Sequence, residues 1–140
     1  MNTDIEYRDI GLIDYQEAWE YQEVLFRELM EAKMAGGMAA SAVPYSSVSN
    51  YLLFCEHPAV FTIGRSGSEA NLLINSGQLR QKGISYYKIN RGGDITFHGP
   101  GQIVGYPIID LENFSLGIRK YIEIMEEAII LILKDYGIAG

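Results

Sequence analysis

The chain has 140 residues, 48% apolar and 21% charged, which suffices for a buried core and sets it apart from disordered chains. A formal charge of −7 argues against nucleic acid as a partner, since neutralising phosphates takes a basic stripe. One cysteine excludes an internal disulfide and fits a reducing compartment.

No apolar run approaches the roughly eighteen residues of a membrane-spanning helix, and Met1 to Glu6 lacks the basic and apolar segments of a secretory signal. The expectation is a single cytoplasmic domain over 1–140 with no membrane partner.

In chain order, Ile5 to Ile10 predicts an edge strand. Asp14, with Glu17 three residues on, offers the start of a helix from Tyr15 to about Ala35. Tyr15, Ala18, Trp19, Gln22, Leu25, Phe26 and Leu29 share one face at helical spacing and read as core; Gly36 and Gly37 end the helix. Residues 38–49 hold no steady period and read as a mobile loop or flap. Tyr51 to Glu56 and Ala59 to Ile63 predict two strands, split by His57-Pro58 and followed by the turn residues Gly64-Arg65-Ser66-Gly67. Asn75-Ser76 caps a short helix that Gly83 closes, and Ile84 to Asn90 is a further strand. Ser115 is placed to cap a long helix from about Leu116 to Tyr136, with Ile118, Tyr121, Ile122, Met125, Ala128, Ile129, Ile132 and Leu133 as its apolar face.

The stretch from Arg91 to Pro107 is the most informative. Glycines at 92, 93, 99, 101 and 105 mark backbone that turns sharply or approaches something closely. Asp94-Ile95-Thr96-Phe97-His98 alternates, so Asp94, Thr96 and His98 share one face of a short strand. Gln102 to Ile108 forms a second strand beyond the turn Gly99-Pro100-Gly101. Polar side chains beside exposed glycine amides make a ligand-binding surface.

Other motifs fail. Gly99-Pro100-Gly101 opens a G-x-G-x-x-G pattern, but Val104 occupies the last position and Pro107 forbids the helix that should follow. There is no P-loop. Gly64-Arg65-Ser66-Gly67-Ser68 lacks the final glycine of a nucleophile elbow, leaving Ser66 as a turn residue. His57, His98 and Cys55 do not complete a metal site, for which closed centres need about four ligands. Cys55 and His57 point the same way within a strand and are geometrically able to pair, but Tyr51 to Cys55 reads as a buried strand and the thiol as structural.

R-G-G-D-I-T-F-H-G-P-G-Q-I-V-G-Y-P, from Arg91, resembles the signature of the lipoyl(octanoyl) transferases. Glu56 to Gly67, E-H-P-A-V-F-T-I-G-R-S-G, is similar to that family's E-H-P-x-V-[FY]-T-x-G-[RQ] segment. The spacing of the blocks and the long helix after the second also match. Related lipoate-protein ligases and biotin ligases share the fold but have different glycine-rich segments.

The resemblance implies a mixed, largely antiparallel sheet flanked by helices (the α/β architecture of biotin and lipoate protein ligases). It implies octanoyl transfer from octanoyl-acyl carrier protein to a lysine on lipoyl domains of 2-oxoacid dehydrogenases and the glycine cleavage H protein, without a cofactor. Carried over by position, Arg91, Gly92, Gly93, Asp94, Ile95, Thr96, Phe97 and His98 bind the substrate, with the Gly92 and Gly93 amides able to support an oxyanion. Arg65, Arg80, Lys82 and Lys88 leave room for a modest positive patch facing an acidic partner.

The family's acyl-accepting cysteine and its lysine lie beyond Gly140. The chain is therefore expected to be the N-terminal portion of such an enzyme, inactive alone, with apolar surface exposed on the long helix and with dimerisation or marginal stability as consequences. Lys134 and Cys55 sit in the wrong segments to substitute. A non-catalytic acyl- or carrier-binding module and an ATP-dependent lipoate-protein ligase relative are the alternatives.

Overall fold

The computed structural model describes residues 2–36 and 50–139. In chain order the elements are β1 (Ile5–Leu12), α1 (Tyr15–Gly36), β2 (Asn50–Glu56), β3 (Val60–Ile63), α2 (Ser76–Gln81), β4 (Ser85–Lys88), β5 (Ile95–His98), β6 (Val104–Ile108) and α3 (Ile118–Asp135). The fold is mixed α/β, as expected. One three-stranded sheet has the order β1-β2-β6 and the other β4-β3-β5. β2 pairs antiparallel with β6, β3 pairs antiparallel with β5, and β3 pairs parallel with β4. Among the described residues no helix is long and apolar enough to cross a membrane.

The chain divides into two compact units, Glu6–Arg27 with Tyr51–Ile108, and Met1–Ile5 with Glu28–Asn50 and Ile109–Gly140. The first holds both sheets' paired strands. Leu53, Val60 and Ile63 are buried there, together with Cys55, His57 and Thr62. In the second, the buried Asn50 side chain bridges strands of chain: its Nδ2 donates to the carbonyls of Asn2 and Asp4, and its Oδ1 accepts the Asp110 N–H at 2.9 Å. Lys33 Nζ sits 3.0 Å from Asp110 Oδ1 and 3.1 Å from Glu112 Oε2.

Local chemistry accounts for the element boundaries. The Asp14 carboxylate accepts the Gln16 N–H at 2.8 Å and starts α1. At α2, Asn75 accepts the Gln78 N–H while the Gln78 side chain accepts the Asn75 N–H, a complete capping box. Gly83 at φ +63° then closes α2. Pro100 and Gly101 (φ +88°) form a type II turn closed by Gln102 N–H to Gly99 O at 3.1 Å. This turn carries the chain from one sheet to the other, since β5 pairs with β3 and β6 with β2.

Three expectations are corrected. Ser115 does not cap α3; it ends the preceding 3₁₀ turn, Leu111–Phe114, in the left-handed conformation at φ 53°, and Gly117 starts the helix without a side-chain cap. Phe26 is exposed, because α1 buries only a narrow stripe of Ala18, Leu25, Leu29 and Ala32, and Phe26 lies about 100° round from Leu25. Tyr15 and Trp19, read as core, are only partly buried. As expected, the apolar face of α3 is exposed: no residue of the helix is buried, and Ile118, Ile122, Ile129 and Ile132 all face outward. The loop expected over 38–49 and the stop at Gly37 lie outside the described residues.

Candidate acyl-binding site

The candidate site is built in the first unit from α1, the ends of β2 and β4, the loop of residues 91–94, β5 and β6. Arg91 is held by its own loop. Its Nη2 donates to Thr96 Oγ1 at 2.8 Å and its Nη1 to the Gly92 carbonyl at 2.9 Å. That places the guanidinium against the polar face of β5, where alternation had put Thr96. Gly93 has φ +89°, a conformation that suits glycine and lets the loop double back. Among the described residues the N–H groups of Gly92 and Gly93 make no hydrogen bond.

The turn after β3 is docked onto this loop. Gly64 N–H donates to Asp94 O at 3.3 Å and Arg65 N–H to Arg91 O at 2.9 Å. Gly64 has to be glycine for lack of room: a Cβ there would lie 2.4 Å from Gly93 O, 2.7 Å from Arg91 O and 2.9 Å from Gly92 O. Arg65 Nε also donates to Asn90 Oδ1. The Asp94 carboxylate accepts from Ser68 N–H and Asn71 Nδ2.

An aromatic cluster adjoins the loop. Tyr15 stacks on Tyr87 (5.5 Å, 27°) and on His98 (6.3 Å, 15°), and meets His57 edge-on at 5.3 Å. His98 Nδ1 donates to Gln102 Oε1 at 2.7 Å. His57 is fully buried with both ring nitrogens committed. Nδ1 lies 2.8 Å from the Ile13 carbonyl, so it carries the proton; Nε2 therefore accepts, from the Tyr106 hydroxyl at 2.8 Å. Burial pushes the Tyr106 phenol well above its ordinary range, with the neighbouring Tyr15 and Cys55 adding to the effect, so it stays a donor at neutral pH.

Tyr15, Trp19, Gln22, Ile89, Asn90, Arg91 and Tyr106 line a cavity of about 210 Å³. It is apolar along Trp19 and Ile89 and polar at Arg91 and Tyr106, which suits a ligand with a hydrocarbon part and a carbonyl. Of the eight residues expected to bind substrate, Arg91 lines this cavity, Thr96 holds Arg91, and His98 packs on Tyr15. Ile95 pairs with Ile63, and Phe97 packs on Phe61 at 5.0 Å. Sequence reasoning misses Tyr15, Trp19 and Tyr106, which line this cavity. A helical stripe rich in aromatics beside a histidine was the available signal, and core packing explains that pattern equally well.

Cys55 is buried, with Sγ 3.6 Å from His57 Nε2. Burial pushes its thiol up to about 11, with the Asp9 charge as a lesser cause. Gly105 sits opposite Phe54, where a Cβ would meet the ring at 2.7 Å. Among the described residues no group of His, Cys, Asp or Glu is arranged to hold a metal.

The model of the lipoyl protein ligase A/B catalytic domain matches residues 14–140. The chain belongs to this family. It is 51% identical to an octanoyltransferase of Christiangramia forsetii and 54% identical to one of Flavobacterium johnsoniae, each over 99% of this chain and 58% of that protein. An octanoyltransferase of Flavobacterium psychrophilum is 51% identical over 100% of this chain and 59% of that protein. The chain thus spans a little under three-fifths of the length of the curated relatives it matches.

Proposed function

We propose that residues 1–140 are the acyl-binding portion of an octanoyltransferase, the enzyme that moves octanoyl from octanoyl-acyl carrier protein to a lysine of a lipoyl domain. The acceptors in this reading are the lipoyl domains of 2-oxoacid dehydrogenases and the glycine cleavage H protein. The observation that carries it is the cavity in which Arg91 meets Tyr15, Trp19, Ile89 and Tyr106. The hydrocarbon lies along Trp19 and Ile89, and Arg91 faces the thioester carbonyl. The amides of Gly92 and Gly93, which make no hydrogen bond among the described residues, are the donors for the oxyanion that forms on attack. The segment Arg91 to His98 acts as a unit in this reading.

The reaction runs in two acyl transfers. A cysteine thiolate attacks the octanoyl thioester and the carrier's thiol leaves. The lysine amine then attacks the enzyme thioester, forming the amide and releasing the cysteine. The only cysteine in this chain is Cys55, and its burial and raised pKa count against that role. The proposal places the nucleophile and its lysine outside residues 1–140 and needs no cofactor.

Intact mass after incubation with octanoyl-acyl carrier protein, before and after hydroxylamine, tests this assignment. No thioester adduct is expected on the 140-residue chain, while octanoate alters the emission of Trp19, its one tryptophan. A hydroxylamine-sensitive adduct on Cys55 overturns the exclusion of that residue.

A further inference from the structure

We propose that Asp94 is a positioning residue: its carboxylate clamps the turn at Ser68–Asn71 to the loop that presents Arg91, and it does not itself touch the acyl group. Sequence alternation puts Asp94 on the same face as Thr96 and His98, and the resemblance assigns all three to substrate. Their partners separate them. Thr96 takes Arg91, and His98 takes Gln102. Asp94 spends both oxygens on the chain: Oδ1 accepts the Ser68 N–H at 3.2 Å, and Oδ2 accepts from Asn71 Nδ2.

The surroundings fit a clamp. A Cβ on Gly67 would meet Asp94 Oδ1 at 3.0 Å, so the carboxylate lies directly against the turn backbone. Ser68 is itself the cap of the 3₁₀ turn Glu69–Asn71, its hydroxyl accepting the Ala70 N–H at 3.3 Å. The same two chain segments are joined through Gly64 N–H to Asp94 O and Arg65 N–H to Arg91 O. Both Asp94 partners are donors, and an ionised carboxylate is an acceptor-only group that satisfies both at once. Releasing it loosens the loop from which Arg91 projects. The consequence for the ligand rests on the acyl-binding reading above; the clamp itself does not.

The donor and acceptor arrangement supplies a test that a substrate contact would fail. Asp94→Asn sets an amide NH₂ against the Asn71 NH₂. Asn71→Asp sets two carboxylates against each other. The double exchange restores the pair: Asn at 94 accepts from Ser68 N–H through its oxygen and donates through its nitrogen to Asp at 71.

The experiment measures amide hydrogen exchange at Gly64, Arg65 and Ser68, and octanoate affinity through Trp19 emission, in the unaltered chain and all three variants. Each single variant should exchange about tenfold faster at these amides, the scale of one lost charge-assisted hydrogen bond, and should bind octanoate more weakly. The double variant should return both readouts to within about twofold of the unaltered chain. Weakened binding with unchanged exchange in Asp94→Asn, or no recovery of exchange in the double variant, overturns the clamp. Exchange that follows the swap while octanoate fails to bind even the unaltered chain supports the clamp and rejects the acyl reading.

Discussion

The buried His57 imidazole and the half-buried Tyr106 hydroxyl form a pair at 2.8 Å whose polarity is set from the far side of the ring. Ile13 O takes the Nδ1 proton, so in the neutral ring Nε2 accepts from the phenol. Residues 49 positions apart are thereby joined beneath the cavity that Arg91 and Tyr106 line.

Tyr106→Phe keeps the ring and removes the donor. Among the described residues His57 Nε2 is then left with the Cys55 thiol at 3.6 Å, a poor substitute. Unfolding in urea should show a loss of about 1–2 kcal/mol with an unchanged denaturant slope. No loss would mean that the pair contributes nothing net.

The Cys55 thiol makes stability fall at alkaline pH. Burial holds the folded thiol protonated to about 11, against 9.0 for the same group unburied. Between those values the folded state retains a proton that the unfolded state has released. The stabilisation is therefore complete below pH 9 and is lost as pH rises towards 11. Tyr15 and Tyr106, both raised chiefly by burial, extend the decline in the same direction. Equilibrium unfolding across pH 8–11 should show this fall, and Cys55→Ala should flatten its lower part.

The same residues show what a sequence can and cannot disclose. Asn75 with Gln78, and Pro100 with Gly101, carry their conformations within a few positions, so α2 and the type II turn were readable from composition and spacing. The Arg91–Thr96 and His98–Gln102 contacts are likewise local, each joining residues at most five positions apart. The His57–Tyr106 pair depends on how distant strands come together, and a phenol in a strand has no local mark distinguishing a site residue from core. Ser115 failed as a helix cap because a preceding 3₁₀ turn claimed its backbone first. Two competing local structures, each plausible alone, cannot be ranked by propensity.

Gly64→Ala should damage the loop without removing any hydrogen-bonding group. Its Cβ would press on three backbone carbonyls, none of which has a flexible side chain's freedom to move away. A cost of about 1–3 kcal/mol is expected, together with weaker octanoate binding. Thermal unfolding and the Trp19 titration check both. A variant as stable as the parent would show that the turn and loop are not packed as described.

Thr62 is fully buried in β3 opposite Thr96, and its hydroxyl has no hydrogen-bond partner among the described residues. Thr62→Val replaces that hydroxyl with a methyl of similar size. Folding stability should rise by about 1 kcal/mol, because an unpaired buried hydroxyl is removed. A decrease in the urea midpoint would show that the hydroxyl is satisfied in solution.

Photolabelling locates the acyl chain directly. Octanoyl-acyl carrier protein bearing a diazirine at the end of the octanoyl chain would be irradiated with the 140-residue protein, and the labelled peptides mapped by mass spectrometry. The account predicts label on the segments carrying Tyr15 to Gln22, Ile89 to Arg91 and Tyr106, and its loss in Arg91→Ala. Label concentrated elsewhere, such as the exposed Ile129 to Ile132 face of α3, and indifferent to Arg91→Ala would contradict it.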